Sequence, residues 1–171
     1  KSIHIALNDR PGPVHLDLPL NFQSYLISKK NLRSYKIKLN KNKYRISSKD
    51  LDSIIDKLNS SKRPLFLLGQ GSNNQYSKEN LLSIFSDIKI PIVTTHIAKD
   101  VLYYNHNNFI GHPGPKGDRA GNFAVSNADL IIVLGSSLHS QTIGWNETEF
   151  AKKAYKIHID PDKSILIKSK K

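Results

Sequence analysis

The run DLIIVLG, Asp129–Gly135, is apolar at every position between an acidic residue and a glycine. Five apolar residues are too few for a helix, and nothing alternates with them, so the segment reads as a strand buried on both faces. Working outward, the same pattern recurs in PLFLLG (Pro64–Gly69) and IPIVTT (Ile90–Thr95), and more weakly in YKIHID (Tyr155–Asp160). Helical spacing fills the gaps. SSKDLDSIIDKL (Ser47–Leu58) places Leu51, Ile54, Ile55 and Leu58 on one face, with Ser47 and Asp50 spaced as an N-terminal cap. SKENLLSIFSDI (Ser77–Ile88) aligns Leu81, Leu82, Phe85 and Ile88 behind Ser77 as cap, and RAGNFAVSNA (Arg119–Ala128) aligns Ala120, Phe123, Ala124 and Asn127. His96–Asn108 reads as a short helix and loop, and NETEFAKKA (Asn146–Ala154) as a last helix capped by Asn146. Strands joined by helices of about ten residues imply a parallel sheet with crossover helices. The predicted fold is α/β, a three-layer Rossmann-like (sirtuin-like) parallel sheet flanked by helices, from about Ser47 to Asp162.

The first residues stand outside that alternation. DRPGPVHLDLP, Asp9–Pro19, reads as a rigid turn feeding an apolar strand with nothing upstream to pair with it. Lys29–Arg45 holds no acidic residue and has the composition of a solvated linker. The expected organisation is a tail of a preceding domain over 1–24, a basic linker over 25–46 and an α/β domain over 47–171.

Composition narrows the function classes. The 171 residues are 38% hydrophobic and 23% charged, as in a globular protein long enough to bury a core. No apolar run nears the roughly 20 residues that span a bilayer, and no signal peptide is visible, which favours a cytoplasmic protein without membrane contact. Cysteine is absent, excluding disulfides and thiolate metal sites, and so is methionine, which suggests a fragment or processed chain. The formal charge of +12 invites a nucleic-acid reading, but the cations are mostly Lys and few adjoin aromatics, so no nucleic-acid partner is expected.

In open parallel sheets ligands sit at the carboxyl ends of the strands. Those ends carry Gly69-Gln70-Gly71-Ser72, then Thr94, Thr95 and His96, then Gly135, Ser136 and Ser137, and finally Asp160. Glycines there let a phosphate approach backbone N–H groups, hydroxyls donate to phosphate oxygens, and an Asp accepts a ribose hydroxyl. Against this, GQGSNN lacks the third glycine of a dinucleotide fingerprint, and glycine also ends buried strands for steric reasons. GHPGPKGDRAG, Gly111–Gly121, reads either as a ligand-wrapping loop or as a rigid connection in which Asp118 caps the next helix. The seven histidines (His4, His15, His96, His106, His112, His139 and His158) offer no pair at metal-ligand spacing on a helix, and no nucleophile elbow occurs. No catalytic residue and no metal ligand is therefore assigned.

DRPGPVHLDLPLNFQ, KRPLFLLGQGS, IPIVTTHIAKD, GHPGPKGDRAGNFAVSNADLIIVLGSSL and AYKIHIDPD occur in this order. Together they resemble the thiamine diphosphate-dependent enzymes related to acetolactate synthase, from Ala6 to about Lys163. The resemblance implies a central domain preceded by the end of a pyrimidine-binding domain. It implies that the parent is a carboligase or decarboxylase of 2-oxo acids, a homo-oligomer using thiamine diphosphate and magnesium. The family's catalytic Glu and its magnesium-binding GDG segment are not found in this chain, so the fragment alone is expected to be inactive. In this family the central domain binds FAD, ADP or nothing. The residues matched to that role are Arg10, Gly69, Gly71, Thr94, Thr95, Gly111, Gly114 and Asp160, and Gly135 joins them as a candidate from its place at a strand end. Where flavin-binding members carry an Arg and an Asp-Asp-Arg, this chain has Ser137 and His139–Gln141, so an empty or nucleotide-tolerant site is expected over a tight flavin site. The alternatives are a stand-alone module of sirtuin-like or flavoprotein-α type binding NAD, FAD or ADP, and a basic nucleic-acid-binding domain.

Overall fold

The computed structural model describes residues 1–8, 11–36, 45–73 and 78–168. The chain divides into two compact units, Lys1–Tyr44 and Arg45–Lys171. In the first, helix α1 spans Ser2–Leu7 and α2 Leu20–Gln23. Neither helix buries a residue, and Leu16, Leu18, Leu20 and Phe22 are all exposed. The strand expected after the Pro11–Pro13 turn does not form: residues 11–19 have no regular structure, and the unit has no strand among its described residues to pair with. A strand without a ladder leaves its backbone groups to water, and nothing then fixes the extended form.

The second unit is built on a five-stranded, all-parallel sheet in the order β3-β2-β1-β4-β5. The strands are β1 Pro64–Leu68, β2 Ile92–Thr94, β3 Phe109–Gly111, β4 Leu130–Leu134 and β5 Tyr155–Ile159. α3 Ser48–Ser60 precedes them, and between and after them run α4 Lys78–Asp87, α5 Arg119–Asn127, the one-turn α6 Ser140–Ile143 and α7 Lys163–Lys168. The two continuous apolar runs pair in the centre, Leu65 with Ile131 and Leu67 with Val133. Successive side chains alternate between two cores, as a strand covered on both faces requires. Leu65, Leu67, Ile131 and Val133 pack with Val125 and Ala128 of α5 and its flank. Phe66, Leu68, Leu130 and Ile132 pack with Phe85 of α4, with Ile54 and Leu58 of α3 joining them.

Several local expectations hold and others shift. The Ser47 cap forms, its Oγ accepting from Asp50 N at 3.1 Å and donating to the Asp50 carboxylate at 2.6 Å. The expected Ser77 cap lies outside the described residues. Helix α5 turns a different face to the core than its spacing suggested: Gly121 and Val125 are buried while Ala120 and Phe123 are exposed. Gly121 permits this, because a Cβ there would stand 2.7 Å from the His112 carbonyl carbon. Asn146 caps only a 3-10 turn, Glu147–Glu149, since Phe150 and Ala151 then bury into the core and Ala151 reverses the chain at φ 47°. β3 forms between the His96–Asn108 segment and the Gly111–Gly121 loop, where no element was predicted. Its three residues follow a polar stretch and give no periodic signal.

Candidate functional site

The order β3-β2-β1-β4-β5 places the topological switch between β1 and β4, so the carboxyl ends of those strands form the candidate ligand face. The structure brings Gly69, Gly71 and Gly135 together there. They meet backbone to backbone: a Cβ on Gly69 would lie 2.5 Å from Ser136 Cα, and one on Gly135 would lie 2.5 Å from Ser72 N. Gly135 also needs its freedom to turn, at φ 58°. The N–H groups a phosphate cradle would use are occupied by the chain itself. Gly69 N donates to Leu134 O at 2.8 Å, Gly71 N to Gly135 O at 2.8 Å and Ser72 N to Gly69 O at 3.1 Å.

The Gly111–Gly121 loop is likewise internally bonded. Asp118 caps α5, accepting from Gly121 N at 2.6 Å, and its other oxygen accepts from His112 N at 2.7 Å. Gly114 N donates to Asn122 Oδ1 at 2.9 Å. A Cβ on Gly111 would run into the Asp118 carboxylate, so this glycine makes room for the cap.

Side chains at the ends of β2 and β3 behave differently. Thr94 is buried, and His112 Nδ1 sits 2.9 Å from its hydroxyl and 3.0 Å from its carbonyl, so the ring is held to Thr94 in either tautomer. Thr95 is 5% exposed, yet its Oγ1 has no hydrogen-bond partner. The Nε2 of the half-buried His96 is also covered and without a partner. The His96 ring stands 5.6 Å from that of His112, which meets Phe109 edge-on at 5.3 Å. His96 was placed at this strand end by its sequence but left out of the site residues, because what distinguishes it is an unpaired atom that the sequence does not show. On the far side of the switch, Asp160 is half-buried and accepts from Asp162 N at 2.8 Å, while His158 Nε2 lies 2.7 Å from Ser136 O. Arg10 lies outside the described residues.

Two hollows among the described residues lie elsewhere. One of about 320 Å³ lies at the amino ends of the strands, among Lys62, Arg63, Pro91 and Phe123. One of about 270 Å³ lies beside α5, among Pro113, Asn122, Thr142 and Phe150. At the same amino end Asp129 is tied down hard. Its carboxylate accepts from the Ser61 hydroxyl and, at 2.9 Å each, from the N–H groups of Lys62 and Arg63. Chiefly the Ser61 hydrogen bond, with those two N–H groups and the nearby Arg63 charge, lowers its pKa from 3.8 to about 2.

Residues 51–171 match the family described as "Thiamine pyrophosphate enzyme, central domain". The chain belongs to this family. It is similar to the probable acetolactate synthase large subunit of Methanocaldococcus jannaschii, at 32% identity over 169 residues, covering 94% of this chain and 28% of that protein. It is similar also to the acetolactate synthase large subunit of Lactococcus lactis, at 29% over 166 residues, and to isozyme 1 of Escherichia coli, at 29% over 169. These alignments cover 97% and 99% of this chain and 29% of each of those proteins. The chain thus spans less than a third of the length of the curated relatives it matches.

The described residues of this thiamine pyrophosphate enzyme central domain contain no group of three or more His, Cys, Asp or Glu placed to hold a metal ion. Asp118 and Asp129 already serve N–H and O–H donors of the chain. Nor is any helix among the described residues long and apolar enough to cross a membrane.

Proposed function

We propose that this chain is the central, non-catalytic domain of a thiamine diphosphate-dependent 2-oxo acid carboligase or decarboxylase of acetolactate synthase type. Thiamine diphosphate, when bound by the parent, supplies the carbanion chemistry, and the residues of this chain supply scaffold. The observation that supports this most is the destination of the carboxylates: Asp118 and Asp129 are committed to caps and strand entries. The parent is proposed to be a cytoplasmic homo-oligomer that binds magnesium through other segments.

The face at the strand ends is proposed as a nucleotide site that favours ADP over FAD. Gly69, Gly71 and Gly135 shape it by close packing, and the side chains of Thr95 and Asp160 make the contacts. Ser137 and His139–Gln141 offer no guanidinium to a flavin diphosphate. Purified parent enzyme is expected to consume pyruvate only when thiamine diphosphate and magnesium are added, and to be colourless. Turnover without thiamine diphosphate would refute the activity. A yellow protein releasing flavin on denaturation would refute the preference for ADP.

A further inference from the structure

At the amino ends of the strands Asp129 and Arg63 bond within the chain, but apolar surface there stays open. The hollow of about 320 Å³ at this end is lined in part by Leu65, Pro91, Phe123 and Ala124, and Leu65 belongs to the core beneath it. A hollow of that size holds one aromatic or branched side chain. Phe123 is 70% exposed, on the face of α5 that its spacing assigned to the core. A lone exposed apolar side chain is ordinary, but one bordering an apolar hollow extends it into a patch, and a patch with a polar rim marks an interaction site. The rim here is cationic, made by Lys62, Arg63 and Lys89. Arg63 Nε completes the end of α5 through Asn127 O at 2.6 Å, whereas Lys62 and Lys89 are exposed and present their charge to solvent. A second copy of the chain does not suit this face, because a twofold contact would set these cations against themselves on a chain of +12. A lipid surface does not suit it either, because much of the patch is recessed and a bilayer takes up a projecting apolar face.

We propose that this amino-end hollow is the docking site of an acidic segment of a partner protein. A bulky apolar side chain of that segment enters beside Phe123, and flanking carboxylates meet Lys62 and Lys89. The inserted side chain supplies most of the affinity, since a few anchors seated in pockets dominate such contacts. The charges set partner choice and the rate of encounter, and salt screens them. The site lies at the opposite end of the sheet from the proposed nucleotide face and does not depend on it.

The test titrates the 171-residue chain, and the parent enzyme beside it, with a fluorescein-labelled peptide holding one phenylalanine between two pairs of glutamates. Anisotropy reads binding, and NMR of the isotope-labelled chain reads where it occurs. Saturable binding to both proteins is expected, weakening as salt is raised, with amide shifts at 62–65 and 123–128. Labelled peptides with glycine for phenylalanine, or glutamine for glutamate, are expected not to saturate. Phe123→Ala, and the pair Lys62→Glu with Lys89→Glu, are each expected to weaken binding about tenfold while the amide spectrum stays native. The pair Lys99→Glu with Lys116→Glu changes the charge equally at the other end of the sheet, and is expected to leave affinity within about twofold. Equal losses from the two pairs would mean general attraction to a basic chain and overturn the proposal. Displacement of the peptide by phosphatidylserine vesicles would assign the patch to a lipid surface and overturn it too. Binding by the chain but not by the parent would assign the patch to a contact inside the parent, and no saturable binding by either would leave the hollow without the proposed occupant; both outcomes refute the docking site.

Discussion

The two ends of the parallel sheet treat their polar groups in opposite ways. At the amino end the Asp129 carboxylate collects a hydroxyl and two backbone N–H groups, and Arg63 Nε donates to Asn127 O at 2.6 Å. At the carboxyl end the glycine loops close on one another, while Thr95 and His96 keep atoms with no partner. One end is chemically complete within the chain, and the other is complete in its backbone but open in its side chains. The difference separates side chains that hold the fold from side chains that find no partner within it, a separation that residue type alone does not make.

The contrast can be broken most sharply at Gly135. An alanine there would have to keep φ near 58° and place its Cβ 2.6 Å from the Gly71 carbonyl carbon. Gly135→Ala is expected to cost about 3 kcal/mol or more, read as a lowered midpoint in urea denaturation. An unchanged midpoint would mean that the loops do not depend on their close approach.

A smaller effect is expected at the opposite end. Asp129→Ala removes an acceptor of three hydrogen bonds and should cost about 1–3 kcal/mol at neutral pH. Because folding lowers this pKa from 3.8 to about 2, the stabilisation is present in full above about pH 4 and fades as pH falls toward 2. The stability gap between wild type and variant should therefore close over that window. A gap that persists at pH 2 would mean the ionised carboxylate is not what holds the strand entry.

The sheet was legible because its central strands are uninterrupted apolar runs, and Asp129–Gly135 needs no context to be read as buried. The Ser47 and Asn146 caps were legible because capping is local chemistry. What was not legible depends on contacts across the chain. The face of α5 is set by how close Gly121 comes to His112, which spacing does not encode. The strand expected before Leu20 had the right alternation but finds no neighbouring strand among the described residues of its unit. The glycines after β1 and β4 were read as possible room for phosphate, and the structure places them against each other. Thr94 and Thr95 looked equivalent in sequence. Only the first is engaged, with His112, and only the second leaves its hydroxyl open.

The central claim is that this chain shapes a thiamine enzyme without holding its thiamine cofactor. The most direct measurement is titration calorimetry of the 171-residue chain with thiamine diphosphate and magnesium, run beside the parent enzyme. Saturable heat from the parent and none from the chain is the predicted result. Saturable, magnesium-dependent binding by the chain alone would contradict it.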